Sequence, residues 1–295
     1  MRFRPDFRAV VAGLAAALLL AGCATKIEAP LRPDTIFAVT EANTLIRFNA
    51  GRPSQIEASR PVNGLAAGEK LLGIDIRPSN GSLYAAGSNG NLYILNTDTG
   101  VATAVGTGNF AGLVRSSDIG FDFNPVADRI RLVDSTGNNL RLHPETGALL
   151  DGNSMLAGVQ PDVSLVYSRE DRNFGQLARV VAVAYTNAHG AKATTAFAIE
   201  AAQATLVTLG RPEGTTPAKT PSNPNEGQLF TIGRLGYMTG TQVGFDIHPV
   251  RRSAYASLQE GTASALYEID LANGSARRIG IIGDGARVRG ISIAP

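Results

Sequence analysis

Three aspartates recur at the same place in a repeated motif, and together they could bind a metal ion. Asp75, Asp122 and Asp246 each follow a glycine by two residues and precede a proline by three. Carboxylates at equivalent positions of a repeating fold can converge on its axis and hold a hard cation such as Ca²⁺. In the alternative, each carboxylate accepts hydrogen bonds from a neighbouring repeat, and we favour this structural role because buried polar groups are usually bonded within the protein.

The aspartates must be positioned by β-strands, because the motif alternates large and small residues. In an extended chain Phe121 and Phe123 face one side, while Gly120 and Asp122 face the other, where glycine permits close approach of another backbone. A fourth copy has Ser292 in place of the aspartate. The four copies are Gly73–Pro78, Gly120–Pro125, Gly244–Pro249 and Gly290–Pro295.

The first three copies each begin a longer unit of short strands separated by Asn-Gly and Asp-x-Gly turns. The unit Gly73–Gly106 contains four such strands, and Gly120–Gly152 and Gly244–Gly280 repeat the pattern, with Ala148–Asp151 as a fourth strand. Between them lies a degenerate copy with Ala184 in place of the aspartate. We assign its strands as first, third and fourth, at Val180–Thr186, Thr194–Glu200 and Thr205–Leu209. Four antiparallel strands per repeat are typical of a β-propeller blade.

The two ends of the chain complete each other. Gly290–Ala294 is a first strand with nothing after it, whereas the segment from Thr35 has later strands and no first strand. We therefore expect an all-β propeller of five four-stranded blades, closed by pairing the C-terminal strand with the N-terminal blade. The wide central spacings leave six blades as the alternative.

The N-terminus predicts export and lipid attachment. Arginines precede an apolar run that ends in Leu20-Ala21-Gly22-Cys23, which resembles the lipobox of bacterial lipoproteins. We expect residues 1–22 to be a lipoprotein signal peptide, Cys23 to carry the lipid, residues 23–34 to be a tether and residues 35–295 to form a single domain. Ala24 favours the outer membrane, with the protein facing the periplasm.

Composition limits the function classes. The chain has 295 residues, of which 44% are hydrophobic and 18% charged, so it is long and apolar enough to fold as one large domain. Removal of residues 1–22 takes away three arginines and one aspartate, which leaves equal numbers of basic and acidic residues. A neutral chain gives no electrostatic reason to bind nucleic acid.

The arginines and histidines indicate a functional site less specifically than the aspartates do. Arg129 and Arg131 share one strand face, and Arg141 and His143 share another, which predicts an anion site or, as the more common case, salt bridges between blades or a solvated edge. The three histidines, His143, His189 and His248, show no metal-ligand spacing, and we expect them at the surface.

Long connections predict the main binding face. We expect three segments to link a fourth strand to the next first strand: Thr107–Ile119, Asn153–Arg179 and Arg211–Val243. The hairpins between second and third strands should open at the same end. The candidate binding residues on this face are Asn89, Arg115, Asn139, Tyr167, Asp171, Asn173, Asn187, Tyr237 and Arg287.

The runs Gly120–Arg131, Ala184–Asn187 and Leu266–Asp270 resemble a bacterial family known as domain of unknown function 4394. The resemblance implies a propeller-like fold and no particular chemistry. Our first hypothesis is a non-catalytic binding or scaffold propeller, anchored to the membrane, without a cofactor and with an envelope protein or glycan as its partner. The alternative is a lactonase-like hydrolase with a cation, Ca²⁺, in the central channel.

Overall fold

A computed structural model describes residues 28–215 and 222–295, which form five β-sheets arranged around a central axis. Cys23 and the predicted signal peptide lie outside the described residues. No helix within the described ranges is long and apolar enough to cross a membrane.

The strands are given in chain order. Blade 1 contains β1 (Thr35–Thr40), β2 (Thr44–Asn49) and β3 (Ile56–Pro61), and blade 2 contains β4 (Leu71–Ile76), β5 (Leu83–Gly87), β6 (Leu92–Leu95) and β7 (Ala102–Val105). Blade 3 contains β8 (Ile119–Asn124), β9 (Arg129–Asp134) and β10 (Asn139–Leu142). Blade 4 contains β11 (Val166–Tyr167), β12 (Val180–Tyr185), β13 (Ala196–Glu200), β14 (Thr205–Leu209), a 3₁₀ turn (Pro224–Glu226) and β15 (Gln228–Arg234). Blade 5 contains β16 (Gly244–Ile247), β17 (Ala254–Glu260), β18 (Ala263–Ile269) and β19 (Ala276–Ile281), and the last strand is β20 (Val288–Ile293).

The ring closes as the sequence predicts, with five blades. Strand β20 pairs antiparallel with β1, so that Ser292 lies opposite Phe37, and becomes the innermost strand of blade 1. The five innermost strands, β20, β4, β8, β12 and β16, contact one another in that order around the axis. Closure pairs β1 with β20 as well as with β2, so that β1 is not left as an open sheet edge.

Apolar side chains fill the space between blades. Five clusters of buried residues each join two neighbouring blades; for example, Tyr84 of blade 2 packs against Phe123 of blade 3 with ring centroids 5.1 Å apart. This arrangement explains why both faces of an inner strand are apolar, since each face meets a different blade.

Blades 3 and 4 depart from the predicted four strands. The predicted strand Ala148–Asp151 is reduced to a single bridge between Leu142 and Leu149. In blade 4, Ala196–Glu200 is the second strand and Thr205–Leu209 the third, so our assignment of these segments as third and fourth was wrong. The fourth strand is β15, inside the segment predicted as a connection, and β11 adds a parallel fifth strand outside it.

Two ends of the ring can now be distinguished. We call the turn end the one at which the inner strands finish, with turns at residues 77–82, 125–128, 186–195 and 248–253. The opposite end, where the inner strands begin, is the loop end. Residues 210–227 join the third and fourth strands of blade 4 and therefore lie at the turn end, which corrects the prediction that they belong to the loop face.

Candidate functional site

The three repeated aspartates meet near the turn end of the central channel. Asp75, Asp122 and Asp246 lie on the inner strands of blades 2, 3 and 5, and each has a carboxylate oxygen within 4.8 Å of an oxygen of the other two. All three are buried, with 5%, 4% and 7% of their surface exposed. The convergence that a cation site requires is therefore present.

Each carboxylate also bonds to the next blade around the ring, which is the structural role expected from the sequence. It accepts a hydrogen bond from a backbone N–H on the inner strand of that neighbour. The pairs are Asp75 with Phe123 (2.8 Å), Asp122 with Tyr185 (3.0 Å) and Asp246 with Ile293 (2.6 Å). The aspartates thus link blades 2 to 3, 3 to 4 and 5 to 1.

Ser292 continues this ring of bonds where the motif lacks its aspartate. Its hydroxyl accepts from the backbone N–H of Ile76 at 3.1 Å and donates to the carboxylate of Asp75 at 3.0 Å. Ala184, in blade 4, has no oxygen to offer, so the backbone N–H of Ile247 bonds instead to Asp246, the residue before it. The seam between blades 4 and 5 therefore lacks the motif's cross-blade bond.

The glycines of the motif close the channel beyond the carboxylates. A Cβ on Gly120 would lie 2.5 Å from the backbone nitrogen of Val183, and one on Gly244 would lie 2.6 Å from that of Ile291. This close approach leaves a space of only about 10 Å³ at the level of the glycines, enough for about one water molecule. The carboxylates are consequently reached from the turn end.

The buried carboxylates carry an electrostatic cost. Burial raises the pKa of Asp75 and Asp122 well above the usual value, and the charges of the neighbouring carboxylates raise it further. Burial also raises the pKa of Asp246 to about 6. Oδ2 of Asp122 receives no hydrogen bond from the described part of the chain. Three such groups can stay ionised together only if positive charge lies between them.

A cavity of about 270 Å³, which we call the cup, contains the three carboxylates and extends to the turns beyond the strand ends. Its walls combine apolar and polar groups from four blades and the C-terminus. They include Pro78, Tyr185, Asn187, His189, His248, Pro249, Val250, Ile293 and Pro295. The cup is therefore a concave site at the channel mouth with a charged floor.

His248 lines the cup and carries a buried ring nitrogen without a partner in the described protein. The residue is 3% exposed, and its Nδ1 accepts from the backbone N–H groups of Val250 (3.1 Å) and Arg251 (3.0 Å). Burial and the charge of Arg251 lower the pKa of His248, so the ring is neutral at pH 7 with its proton on Nε2. Nε2 is buried and has no partner in the described protein. The expectation that this histidine lies at the surface was wrong.

The loop end holds part of the predicted binding face. Asn89 and Arg115 are exposed there, Tyr237 is 44% exposed, and Arg287 is partly exposed. Asn187 lies at the opposite end, on the cup wall, because the segment after it is the second strand of its blade. Its amide donates to Ala193 O and to the carboxylate of Glu213.

The other four predicted residues bond within the protein. Asn139 is buried and donates to the backbone oxygens of Val163 and Pro224. The hydroxyl of Tyr167, also buried, donates to Glu200. Asp171 and Asn173 both bond to Thr231 and so attach the segment after β11 to β15.

The fold and this site define a five-bladed β-propeller with a carboxylate-floored cup at one end of its channel. The chain belongs to the family Domain of unknown function (DUF4394), whose model matches residues 44–292. No curated protein matches it.

Several solved structures are similar to this chain at low identity. One of them is the dihydro-heme d1 dehydrogenase NirN, at 15% identity and a TM-score of 0.34. The match covers 87% of this chain and 45% of that one. A protein of unknown function from Bacteroides thetaiotaomicron (11%, TM-score 0.45) covers 85% and 61%, and a chain of a nidogen/laminin complex (12%, TM-score 0.44) covers 89% and 98%. The chain thus spans less than two thirds of the first two proteins, and these similarities carry no inference about function.

Proposed function

We propose that this chain is a ligand-binding propeller that holds a divalent cation, Ca²⁺, between Asp75, Asp122 and Asp246 and binds its ligand in the cup. The observation that supports this most strongly is the convergence of three buried carboxylates within 4.8 Å. A hard cation with oxygen ligands would offset their mutual repulsion. The cross-blade hydrogen bonds would hold the carboxylates in place for it.

The cup suits a small ligand with oxygen atoms. Ca²⁺ takes six to eight oxygen ligands, and three carboxylates do not fill all of these coordination positions. The open coordination positions would face the cup. His248 would lie beside the ligand, while Pro78, Pro249 and Val250 would contact its apolar surface. A terminal sugar of an envelope glycan has this chemistry and about this size.

The cellular setting of the proposal comes from the N-terminal sequence. The segment that ends in Cys23 supports export and lipid attachment, which would place the propeller at the periplasmic side of the bacterial outer membrane. Membrane fractionation of a Cys23→Ala variant tests the anchor: the variant should leave the membrane fraction, and a variant that stays there contradicts the proposal.

Hydrolysis is the second candidate function. It is favoured by the proximity of a neutral, unpartnered histidine to the candidate cation site in one cavity. A cation can polarise a carbonyl oxygen, as the chemistry of lactone opening needs. Lactone hydrolysis that requires added Ca²⁺ and is lost in Asp122→Asn would favour this candidate over binding alone.

Calorimetric titration with Ca²⁺ tests the proposal. Protein stripped with chelator should bind one Ca²⁺, and Asp122→Asn should bind it at least about tenfold more weakly, since the substitution removes one charged ligand. Asp98→Asn is the matched control, because Asp98 lies on an exposed turn and its loss removes the same charge. Absence of Ca²⁺ binding, or equal binding by Asp122→Asn, would overturn the proposal.

A further inference from the structure

A second cavity, of about 230 Å³, lies between blade 3 and the segment Asn223–Asn225. Among the described residues, Arg129, Arg131 and Arg141 are the charged ones that line it, and no acidic side chain does. Arg131 and Arg141 face each other across the β9–β10 pair. Like charges opposed in this way destabilise a sheet unless anions neutralise them.

One buried carboxylate behind the cavity neutralises part of this charge. Asp162 accepts from Nη1 of Arg131 (2.6 Å) and from Nη2 of Arg141 (2.8 Å), and its side chain is fully buried. Arg129, in contrast, donates through Nη1 to the backbone oxygens of Ala127 (3.4 Å) and Asp128 (2.9 Å). Two of the arginines thus form salt bridges with a carboxylate of the connection that follows β10, and the cavity keeps an excess of positive charge.

The guanidinium group of Arg131 is fixed in position before any ligand arrives. Its side chain is 3% exposed, and besides Asp162 it donates to Tyr185 Oη (3.2 Å), Asn139 Oδ1 (2.8 Å) and Asn225 Oδ1 (2.7 Å). Since Asn225 turns its oxygen to Arg131, its Nδ2 remains a donor. Rigid, partly desolvated donors bind an anion with little loss of side-chain entropy.

We propose that this cavity is a binding site for a small oxyanion, a phosphate or a carboxylate group, held by Arg129 and Arg131. Guanidinium groups match the geometry of both anions and form charge-assisted hydrogen bonds with them. The site goes beyond the proposed cup function, because it needs neither the cation nor the aspartates. Tyr185 lines both cavities and so lies between the two sites.

Calorimetric titrations with inorganic phosphate and with citrate test this site, in low salt and on protein stripped of Ca²⁺ with chelator that is then removed, so that neither Ca²⁺ nor the chelator contributes. The wild-type protein should bind at least one of the two, and Arg129→Gln should weaken that binding at least about tenfold, which corresponds to about 1.4 kcal/mol. Arg129→Gln should fold, because within the described ranges Arg129 bonds only to backbone oxygens of its own turn. Circular dichroism checks this.

Arg60→Gln is the control, because Arg60 also bonds only to backbone oxygens, those of Ser59 and Asp98, and lies on the outer strand of blade 1. Phosphate binding without citrate binding would identify the anion as a phosphate, and the reverse as a carboxylate. Failure of the wild-type protein to bind either anion, or equal binding by wild type, Arg129→Gln and Arg60→Gln, would overturn the proposal. Neither result bears on the proposed binding of Ca²⁺ at the cup.

Discussion

At the scale of residues, the aspartates of the repeated motif have two compatible roles. Each carboxylate bonds to the next blade, and the three together form the floor of the cup. Their identity was predictable because the motif repeats. His248 was not, because the equivalent positions hold Arg77, Asn124 and Thr186, so no shared side chain marks the site. His248 is distinguished by its burial, and that burial follows from the folded ring and not from the sequence pattern.

Asp122→Asn separates the two roles. The asparagine oxygen can still accept from Tyr185, while one charge of the cluster is lost. In chelator at pH 8 we expect the free energy of unfolding to rise by about 1 kcal/mol or more, since a shift of one pKa unit is worth about 1.4 kcal/mol. Urea denaturation measures this change.

Asp122→Ala provides the comparison, because it loses both the charge and the hydrogen-bond acceptor. It should be less stable than Asp122→Asn by about 1–3 kcal/mol, the cost of a buried N–H without a partner. If the two variants are equally stable, the cross-blade bond has no energetic role and that part of the account is wrong.

At the scale of elements, the inner strands are what the sequence predicts best. Their glycines, alternating large residues and terminal proline mark four of them directly. Blade 4 was harder, because Ala182 and Ala184 replace the motif residues and its fourth strand follows a long segment rich in proline. That error also placed Asn187 at the wrong end of the ring. When one strand of a blade is missed, the later strands and turns of that blade are assigned to the wrong ends of the ring.

Gly120→Ala tests the packing of the inner strands. The added methyl group would lie 2.5 Å from a backbone nitrogen of β12, which cannot move without disturbing blade 4. We expect a loss of about 1–3 kcal/mol in the free energy of unfolding, measured by urea denaturation.

Gly112→Ala is the matched control, since a Cβ at Gly112 meets no atom within 4 Å. It should change stability by no more than about 0.5 kcal/mol. Similar losses in both variants would indicate a general glycine effect and contradict close packing at Gly120.

At the scale of the whole molecule, ring closure and the site depend on each other. Strand β20 closes the ring on β1 and also supplies Ser292 and Ile293, which bond to Asp75 and Asp246. The closure was predictable because the two incomplete ends of the chain complement each other. The location of the site was not, because loop length favours the loop end, whereas the carboxylates face the turn end.

A crystal structure that shows whether Ca²⁺ lies between the three aspartates tests the central claim most directly. Crystals grown with Ca²⁺ and measured at long wavelength should show one anomalous peak between Asp75, Asp122 and Asp246, with carboxylate oxygens about 2.3–2.6 Å away. The peak should be absent from crystals of Asp122→Asn grown in the same way. Wild-type crystals without this peak, in which the three carboxylates contact only protein and water, would contradict the account.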